Sequence, residues 1–124
     1  DLPDFDSNVR ELYRVLKAGG RLVVTNVHPM RSAGNGWHRA PDGTKLHVIL
    51  DHYFSEGERR FTMGGVQITN FHRTLSTYVR SFLRAGFVLE DLIEPMATLE
   101  AVAEYPDIAD ERRVPNFIIF VLKK

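Results

Sequence analysis

Residues 11–30, ELYRVLKAGGRLVVTNVHPM, constrain the fold more than any other stretch of this chain. Apolar residues at helical spacing lead into Gly19-Gly20, where a helix can end because glycine adopts the left-handed conformation at little cost. Arg21–Val27 follows as a β-branched, nearly continuous apolar run, which is typical of a strand covered on both faces in a parallel sheet. A helix that leads directly into such a strand favours an α/β domain.

The helix is predicted to run from Ser7 or Asn8 to Lys17, since Asn8 and Glu11 have the spacing of a capping pair. The glycine pair could instead belong to a phosphate-binding loop. Such loops follow a strand and open a helix, whereas this pair follows the helix and precedes the strand. The order therefore favours a helix end and a turn.

Composition excludes several classes of function. The 16 basic residues are balanced by 16 acidic ones, so the chain has no strong positive charge with which to bind nucleic acid or an anionic membrane. The absence of cysteine excludes disulfides and cysteine-ligated zinc. The longest apolar run is far shorter than the ~20 residues of a spanning helix, and the acidic start is unlike a signal peptide. These features predict a soluble, cytoplasmic protein.

The middle of the chain is predicted to be a β-ribbon insertion. Residues 31–45 are rich in glycine and contain the only tryptophan, Trp37, which favours a loop. Apolar and polar residues alternate in residues 46–54 and again in residues 59–71, with a bulge or bend expected at Gly64-Gly65. The two runs predict an antiparallel ribbon.

The C-terminal third predicts a helix that begins at Thr74 or Ser76 and ends at Gly86, then a strand in residues 87–95. A short helix in residues 98–104, a polar loop and a last strand in residues 116–124 complete the order. The chain is thus expected to form one domain, an α/β sheet with right-handed crossovers. Its three segments are residues 1–30, the insertion 31–73, and residues 74–124.

The carboxyl ends of the strands indicate where a ligand would bind, because ligands of open α/β sheets lie beyond those ends. Asn26 and His28 are at the exit of the first strand. The ribbon is inserted at the same end and is expected to cover the site. The segment that returns from the ribbon brings Asn70, His72 and Arg73 to the same region.

Three segments together resemble one known family. ELYRVLKAGGRLVVTNVHPM resembles the helix, glycine turn and fifth strand of class I S-adenosylmethionine-dependent methyltransferases, with Ala18 in place of the usual proline. FHRTLSTYVRSFLRAGFVLEDLIEP is similar to the next helix and the sixth strand, and NFIIFVLKK to the seventh. The resemblance implies that the chain is the C-terminal portion of a Rossmann-like methyltransferase sheet with an antiparallel ribbon insertion.

The resemblance also implies what this chain lacks. In that family S-adenosylmethionine is held by a glycine-rich loop after the first strand and by an acidic residue after the second, and neither element occurs here. Gly34-Asn35-Gly36 is the nearest string, but no helical pattern follows it. We therefore expect no cofactor-binding residues in this chain, and expect the chain alone not to bind S-adenosylmethionine or to be active.

Methyl transfer requires an acceptor to be positioned and, where it carries a proton, deprotonated. Histidine suits the second task because its ordinary pKa is near 6.5. His72 and His28 are the candidates for the base or for an anchor of a small-molecule acceptor. Each also has a structural interpretation: His28 could bind nearby backbone at the strand end, and His72 could organise the start of the helix.

The remaining candidates for binding the acceptor are Asn26 and Arg73, together with three residues of the insertion. His52 shares a strand face with Leu46, Val48 and Leu50, so it could point into an apolar pocket. Tyr53 lies on the opposite face, and Trp37 is either a lid residue or a plug beneath its loop. No pair of histidines has the spacing of a metal site.

Two other interpretations remain open. The ribbon and helix could enclose a ligand without chemistry, as a non-catalytic α+β binding module, or the chain could serve in assembly. In the family's sheet the strand Arg21–Val27 lies between the fourth and seventh strands, and the fourth is absent here. An exposed strand edge recruits other strands, so we expect self-association through Arg21–Val27.

Overall fold

The computed structural model describes residues 2–63 and 65–124. Pro106–Arg112 forms a 3₁₀ helix. The helices are α1 (Phe5–Val15), α2 (Pro29–Ser32), α3 (Leu75–Ala85) and α4 (Leu99–Glu104); the strands are β1 (Arg21–Val27), β2 (Gly34–Arg39), β3 (Lys45–Leu50), β4 (Gly57–Met63), β5 (Val66–His72), β6 (Val88–Ile93) and β7 (Phe117–Lys123).

The central sheet has three strands in the order β1-β7-β6. β7 runs antiparallel to both neighbours, with Leu122 opposite Leu22 on one side and Leu89 on the other. β1 and β6 therefore run in the same direction but do not pair. The resemblance placed Arg21–Val27 beside the seventh strand, and the pairing of β1 with β7 agrees with it, but β1 lies in an antiparallel pair and not among parallel neighbours in the described residues.

One face of this sheet forms the core. Ile118, Phe120 and Leu122 of β7 are completely buried. α1 and α3 cover them, and Phe82 of α3 packs against Phe120 with ring centroids 5.1 Å apart. Each such side chain contributes roughly 1.5–3 kcal/mol when it is transferred from water to a core. The core also contains Val9, Tyr78 and Phe87.

The other face of the sheet is apolar but uncovered among the described residues. Val23 is 60% exposed, and Val88, Ile93 and Phe117 on the same face are exposed as well. We call these four residues the open sheet face. The expectation that Arg21–Val27 is covered on both faces is wrong here. In the part of the chain that the structure describes, β1 also has a strand partner on one side only.

The insertion contains two hairpins rather than one ribbon. β2 pairs with β3, with Trp37 opposite Val48, so the prediction of a loop over residues 31–45 is wrong. The strand predicted for residues 46–54 ends at Leu50. β4 pairs with β5, and the interruption expected at Gly64-Gly65 falls where these two strands connect; Gly64 itself lies outside the described residues.

α1 begins earlier than predicted, because Asp4 and not Ser7 or Asn8 is its N-cap. The Asp4 carboxylate accepts a hydrogen bond from the backbone N–H of Ser7 at 3.0 Å. The ends of α3 agree with the sequence. Thr74 is its N-cap, and Gly86 ends it in the left-handed conformation with φ +106°.

Glu56, in the loop before β4, reinforces the start of α3. Its carboxylate accepts hydrogen bonds from the backbone N–H and the hydroxyl of Thr74 and from the hydroxyl of Thr77, at 2.9, 2.8 and 2.5 Å. Partial burial acts to raise the pKa of Glu56, but the hydrogen bonds from Thr77 and Thr74 outweigh it and hold the pKa below its ordinary value. The insertion is thereby fastened to α3.

The close contact at Gly86 gives a prediction about stability. An added Cβ would lie 2.9 Å from Cζ of Tyr13, whereas at Gly19, with φ +74°, it would meet nothing within 4 Å. Gly19→Ala should cost about 1–2 kcal/mol of unfolding free energy from backbone strain. Gly86→Ala should cost about 1–3 kcal/mol more from overpacking. Urea unfolding of both variants tests this, and equal losses would contradict the clash.

A second prediction concerns the pH dependence at Glu56. Because its pKa is lower in the folded state than in the unfolded chain, its stabilising contribution is complete above the ordinary value of 4.5 and is lost as pH falls through the folded pKa. Glu56→Gln should cost about 1 kcal/mol at pH 7 and progressively less below pH 4.5. Thermal unfolding across pH 3–7 measures the difference. Glu104→Gln at the exposed end of α4 is the control, and an equal, pH-independent loss at Glu56 would refute the prediction.

Candidate functional site

The candidate site lies where β1 and β6 end and β7 begins. His28 directly follows β1, and Glu94 directly follows β6. The backbone N–H of His28 donates to the carbonyl of Asn116, just before β7, at 2.9 Å. Sheet pairing therefore brings together residues that are 66 positions apart in the chain.

His28 joins the sheet to α2 and to Glu94. Its Nδ1 accepts a hydrogen bond from the backbone N–H of Met30 at 3.1 Å and so caps α2. Its Nε2 lies 2.8 Å from Oε1 of Glu94. The His28 side chain is only 5% exposed, whereas that of Glu94 is 52% exposed. Within this pair the carboxylate, and not the imidazole, faces the surface.

A cleft of about 190 Å³ opens beside Glu94. Met96 contributes an apolar wall and Glu111 a second, half-buried carboxylate. Arg112 and Arg113 also line it. The Arg113 guanidinium donates to the carbonyls of Lys45 and Leu46 at 2.9 and 2.6 Å, and Arg112 donates to the carbonyl of Ala97.

Trp37 is linked to this cleft by its contact with Arg113, which is one of the lining residues. The Arg113 guanidinium sits 4.5 Å from the centre of the indole ring, a cation–π geometry. Lys45 on β3 forms an ion pair with Asp110 of the 3₁₀ helix. The first hairpin is thus fastened to the wall of the cleft, and Trp37 belongs to a strand rather than to the expected loop.

His72 lies apart from this cleft and is almost completely buried, with 1% exposure. Its Nε2 donates to the backbone carbonyl of Tyr53 at 2.7 Å, and its Nδ1 lies 2.6 Å from the hydroxyl of Ser32. The Tyr53 hydroxyl accepts from the backbone N–H of Leu75 at 3.0 Å. These contacts join the insertion to α2 and α3. A role for His72 as a base, or for Tyr53 in acceptor binding, stays a prediction.

Arg73 and Asn26 make further contacts within the fold. Arg73 is nearly buried and donates to the backbone carbonyls of Leu2 and Pro3, which precede α1. The side-chain N–H of Asn26 donates to the hydroxyl of Tyr78 at 2.7 Å. Burial raises the pKa of Tyr78, which keeps its phenol protonated as a partner for Asn26. That Asn26 and Arg73 bind the acceptor likewise stays a prediction.

The argument that placed His52 on an apolar strand face is wrong. His52 follows the end of β3, has φ +53° and is exposed, with its ring 3.5 Å from the Asp51 carboxylate. A residue outside the pleat does not follow the two-residue alternation of a strand. A role of His52 in binding the acceptor stays a prediction.

The exposed histidines His38 and His47 stack across the first hairpin with ring centroids 5.0 Å apart. Among the described residues, no group of three or more histidine or acidic side chains is arranged to hold a metal ion. Within the same residues, no helix combines the length and apolar character needed to cross a bilayer.

The described residues lack the glycine-rich turn that the resemblance implies for holding the adenosyl cofactor. In the part of the chain that the structure describes, no strand passes through a Gly-x-Gly turn into a helix. β1 enters α2 through His28-Pro29, and Gly34-Asn35-Gly36 opens a strand. A phosphate- or ribose-binding turn of the dinucleotide-binding kind therefore has no counterpart among these residues.

Sequence reasoning missed Glu94. The rule that selected His28, namely that ligands lie beyond the carboxyl ends of strands, applies equally to the acidic residue that follows β6. Its significance depends on the pairing with His28, which spans 66 positions and only the fold reveals. The prediction of a site at the strand ends therefore identified His28 but not its partner Glu94.

Comparisons with known proteins were made for the whole chain. No family model matches it. It is 24% identical over 98 residues to an uncharacterized protein of Haemophilus influenzae, a match that covers 77% of this chain and 39% of that protein.

Two solved structures match almost the entire chain. One is a protein from Listeria monocytogenes provisionally assigned as an S-adenosylmethionine-dependent methyltransferase: 31% identity, TM-score 0.88, 99% of this chain covered. The other is an S-adenosylmethionine-dependent methyltransferase from Mesorhizobium loti, with 26% identity, a TM-score of 0.85 and 99% coverage. The chain spans 56% and 57% of those two proteins. The α/β expectation is confirmed, and the chain has a methyltransferase-like fold.

Proposed function

We propose that this chain is the C-terminal, acceptor-binding portion of an S-adenosylmethionine-dependent methyltransferase that acts on a small molecule. The observation that carries the proposal is the match of 99% of the chain to the Listeria monocytogenes structure at 31% identity. The match covers only 56% of that protein, which supports a division between this portion and the rest.

The residues of the chain support this division between cofactor binding and acceptor binding. The cofactor supplies a methyl group on a positively charged sulfur, but the described residues offer no dinucleotide-binding turn to hold it. They do offer a cleft beside the carboxyl end of β6, and Glu94, Met96 and Glu111 are among the residues that line it. A cleft of this kind suits the acceptor rather than the cofactor.

The open sheet face supports the same proposal. Methyltransferase-like sheets belong to the doubly wound class, in which helices cover both faces. In the described residues, α1 and α3 cover one face, and Val23 and Val88 remain 60% exposed on the other. We assign the covering of that face to the remainder of a longer protein.

We place this protein in the cytoplasm, because a chain without cysteine fits a reducing compartment.

Calorimetry tests the proposed division. The 124-residue chain is expected to show no binding of S-adenosylmethionine at micromolar concentration, because the residues that would hold the adenosyl group lie elsewhere. A longer protein that carries the chain should bind it and should transfer a labelled methyl group to a member of a panel of small amines and alcohols. Micromolar binding by the chain alone would contradict the division. A longer protein that neither binds nor transfers would instead favour a non-catalytic binding module.

The uncovered edge and face predict self-association of the isolated chain. β1 offers unpaired backbone groups beside the exposed Val23, so a second copy of the chain is the expected partner. Light scattering at high concentration should give a mass above that of the monomer. Val23→Lys should reduce association, since a charge on an edge strand opposes pairing. Leu99→Lys, at an exposed apolar position on α4, is the matched control. A monomer at every concentration would contradict this prediction.

A further inference from the structure

We infer that Glu94, held in place by His28, is the group that binds the acceptor, and that it takes an ammonium group in preference to a hydroxyl. That the ligand of Glu94 is a methyl acceptor rests on the proposed function, but the existence of the binding site does not. Glu94 is the only carboxylate in the described residues that combines a buried histidine partner with a position on this cleft.

The relative exposure of His28 and Glu94 indicates which of the two meets a ligand. In a histidine–carboxylate pair, the exposed member meets the ligand and the buried member orients it. Here His28 is 5% exposed and Glu94 is 52% exposed. His28 is therefore the positioning residue, which reverses the role that sequence reasoning gave it.

Hydrogen bonding determines which ring nitrogen of His28 carries the proton. The backbone N–H of Met30 can only donate, so Nδ1 of His28 must accept and cannot hold a hydrogen. The neutral ring then carries its hydrogen on Nε2, which donates to Oε1 of Glu94 at 2.8 Å. A carboxylate oriented by one fixed donor loses less side-chain entropy when it binds a ligand.

The second oxygen of Glu94 is available for a ligand. Among the described residues, no donor other than His28 lies within hydrogen-bond distance of this carboxylate. Glu94 lines the cleft of about 190 Å³ beside Met96. Small-molecule sites usually enclose roughly 300–1,000 Å³, so this cleft has room for only one end of an acceptor.

Glu94 is the group beside the cleft that favours an ammonium. Glu94 and the half-buried Glu111 both present carboxylates. Arg113 directs N–H groups at the carbonyls of Lys45 and Leu46, and Arg112 directs one at Ala97. Both guanidinium groups keep their positive charge, but among the described residues neither forms an ion pair with Glu94, whose one ion-pair partner is His28. A charge-assisted hydrogen bond between an ammonium and a carboxylate is roughly twice as strong as a neutral one.

Binding to the chain itself is the test, with ethanolamine as the probe and acetate as the negative control. Titration of the ¹⁵N-labelled chain should shift the backbone resonances of Glu94, Met96 and Glu111, with saturation in the millimolar range. Ethylene glycol, which has hydroxyls alone, should bind more weakly than ethanolamine. Glu94→Gln keeps an oxygen that can accept the hydrogen bond from His28 but loses the negative charge, and should weaken ethanolamine binding at least tenfold. Unchanged affinity in Glu94→Gln, or an absence of shifts at the cleft in the wild-type chain, would overturn the inference.

Two substitutions of His28 separate positioning from folding. His28→Asn places an oxygen near the position of Nδ1 and can still cap α2, but it has no donor that reaches Glu94. It should retain the melting temperature and lose about tenfold in affinity. His28→Gln places an amide N–H near the position of Nε2 and should restore binding to within about threefold, even where loss of the cap lowers stability. The opposite ranking of the two variants would overturn the positioning role.

The result is separable from that of the methyl-transfer assay. If ethanolamine binds as expected and a longer protein transfers no methyl group to any amine or alcohol of the panel, the proposed function fails and the Glu94 site is still supported. If methyl transfer proceeds and Glu94→Gln binds ethanolamine as tightly as the wild-type chain, the proposed function is supported and this inference fails.

Discussion

The burial of one face of β7 against α1 and α3 is the interaction on which the rest of the structure depends. β1 and β6 each pair with β7 and, within the described residues, with no other strand. β7 therefore sets the positions of both His28, which follows β1, and Glu94, which follows β6. Because Phe120 and Leu122 have no exposed surface, β7 cannot slide by one residue without moving apolar side chains into water.

Local features of this fold could be predicted from the sequence, since their causes are local. The helical spacing of Leu75, Val79 and Phe82, with Thr74 before it and Gly86 after it, specifies α3 and both its ends. The turn at Gly19 follows from the same chemistry. By contrast, α1 begins at Phe5, because Asp4 accepts a hydrogen bond from the backbone N–H of Ser7 and caps the helix ahead of the pair Asn8 and Glu11 that the spacing indicated.

Partner choice between strands could not be predicted in the same way. The alternation in residues 46–54 is compatible with any antiparallel neighbour, and the true partner, β2, contains two glycines and no alternation. β3 ends at Leu50, and His52 beyond it has a left-handed backbone, so the alternation of strand faces does not apply to residues 51–54. Nothing local to Phe117–Lys123 reveals that it lies between β1 and β6, and the family resemblance supplied only its place beside β1.

The candidate site was predictable in location but not in detail. The strand-end rule led to His28 and Asn26 from sequence alone, whereas burial and the tautomer of His28 depend on Glu94 and Met30. His72 illustrates the opposite case. Its position near the mouth suggested chemistry, yet both of its nitrogens are engaged by Ser32 and Tyr53, groups that are remote in sequence.

The contact between Ser32 and His72 has a consequence for how such a domain can vary. These residues bound the two hairpins, and their side chains are 2.6 Å apart, so the excursion between them starts and finishes at nearly one point. The entropic cost of closing a loop grows only slowly with its length. The length of the segment between them could therefore change at a small entropic cost, provided that its contacts with the rest of the fold, such as those of Glu56 with Thr74 and of Lys45 with Asp110, are kept.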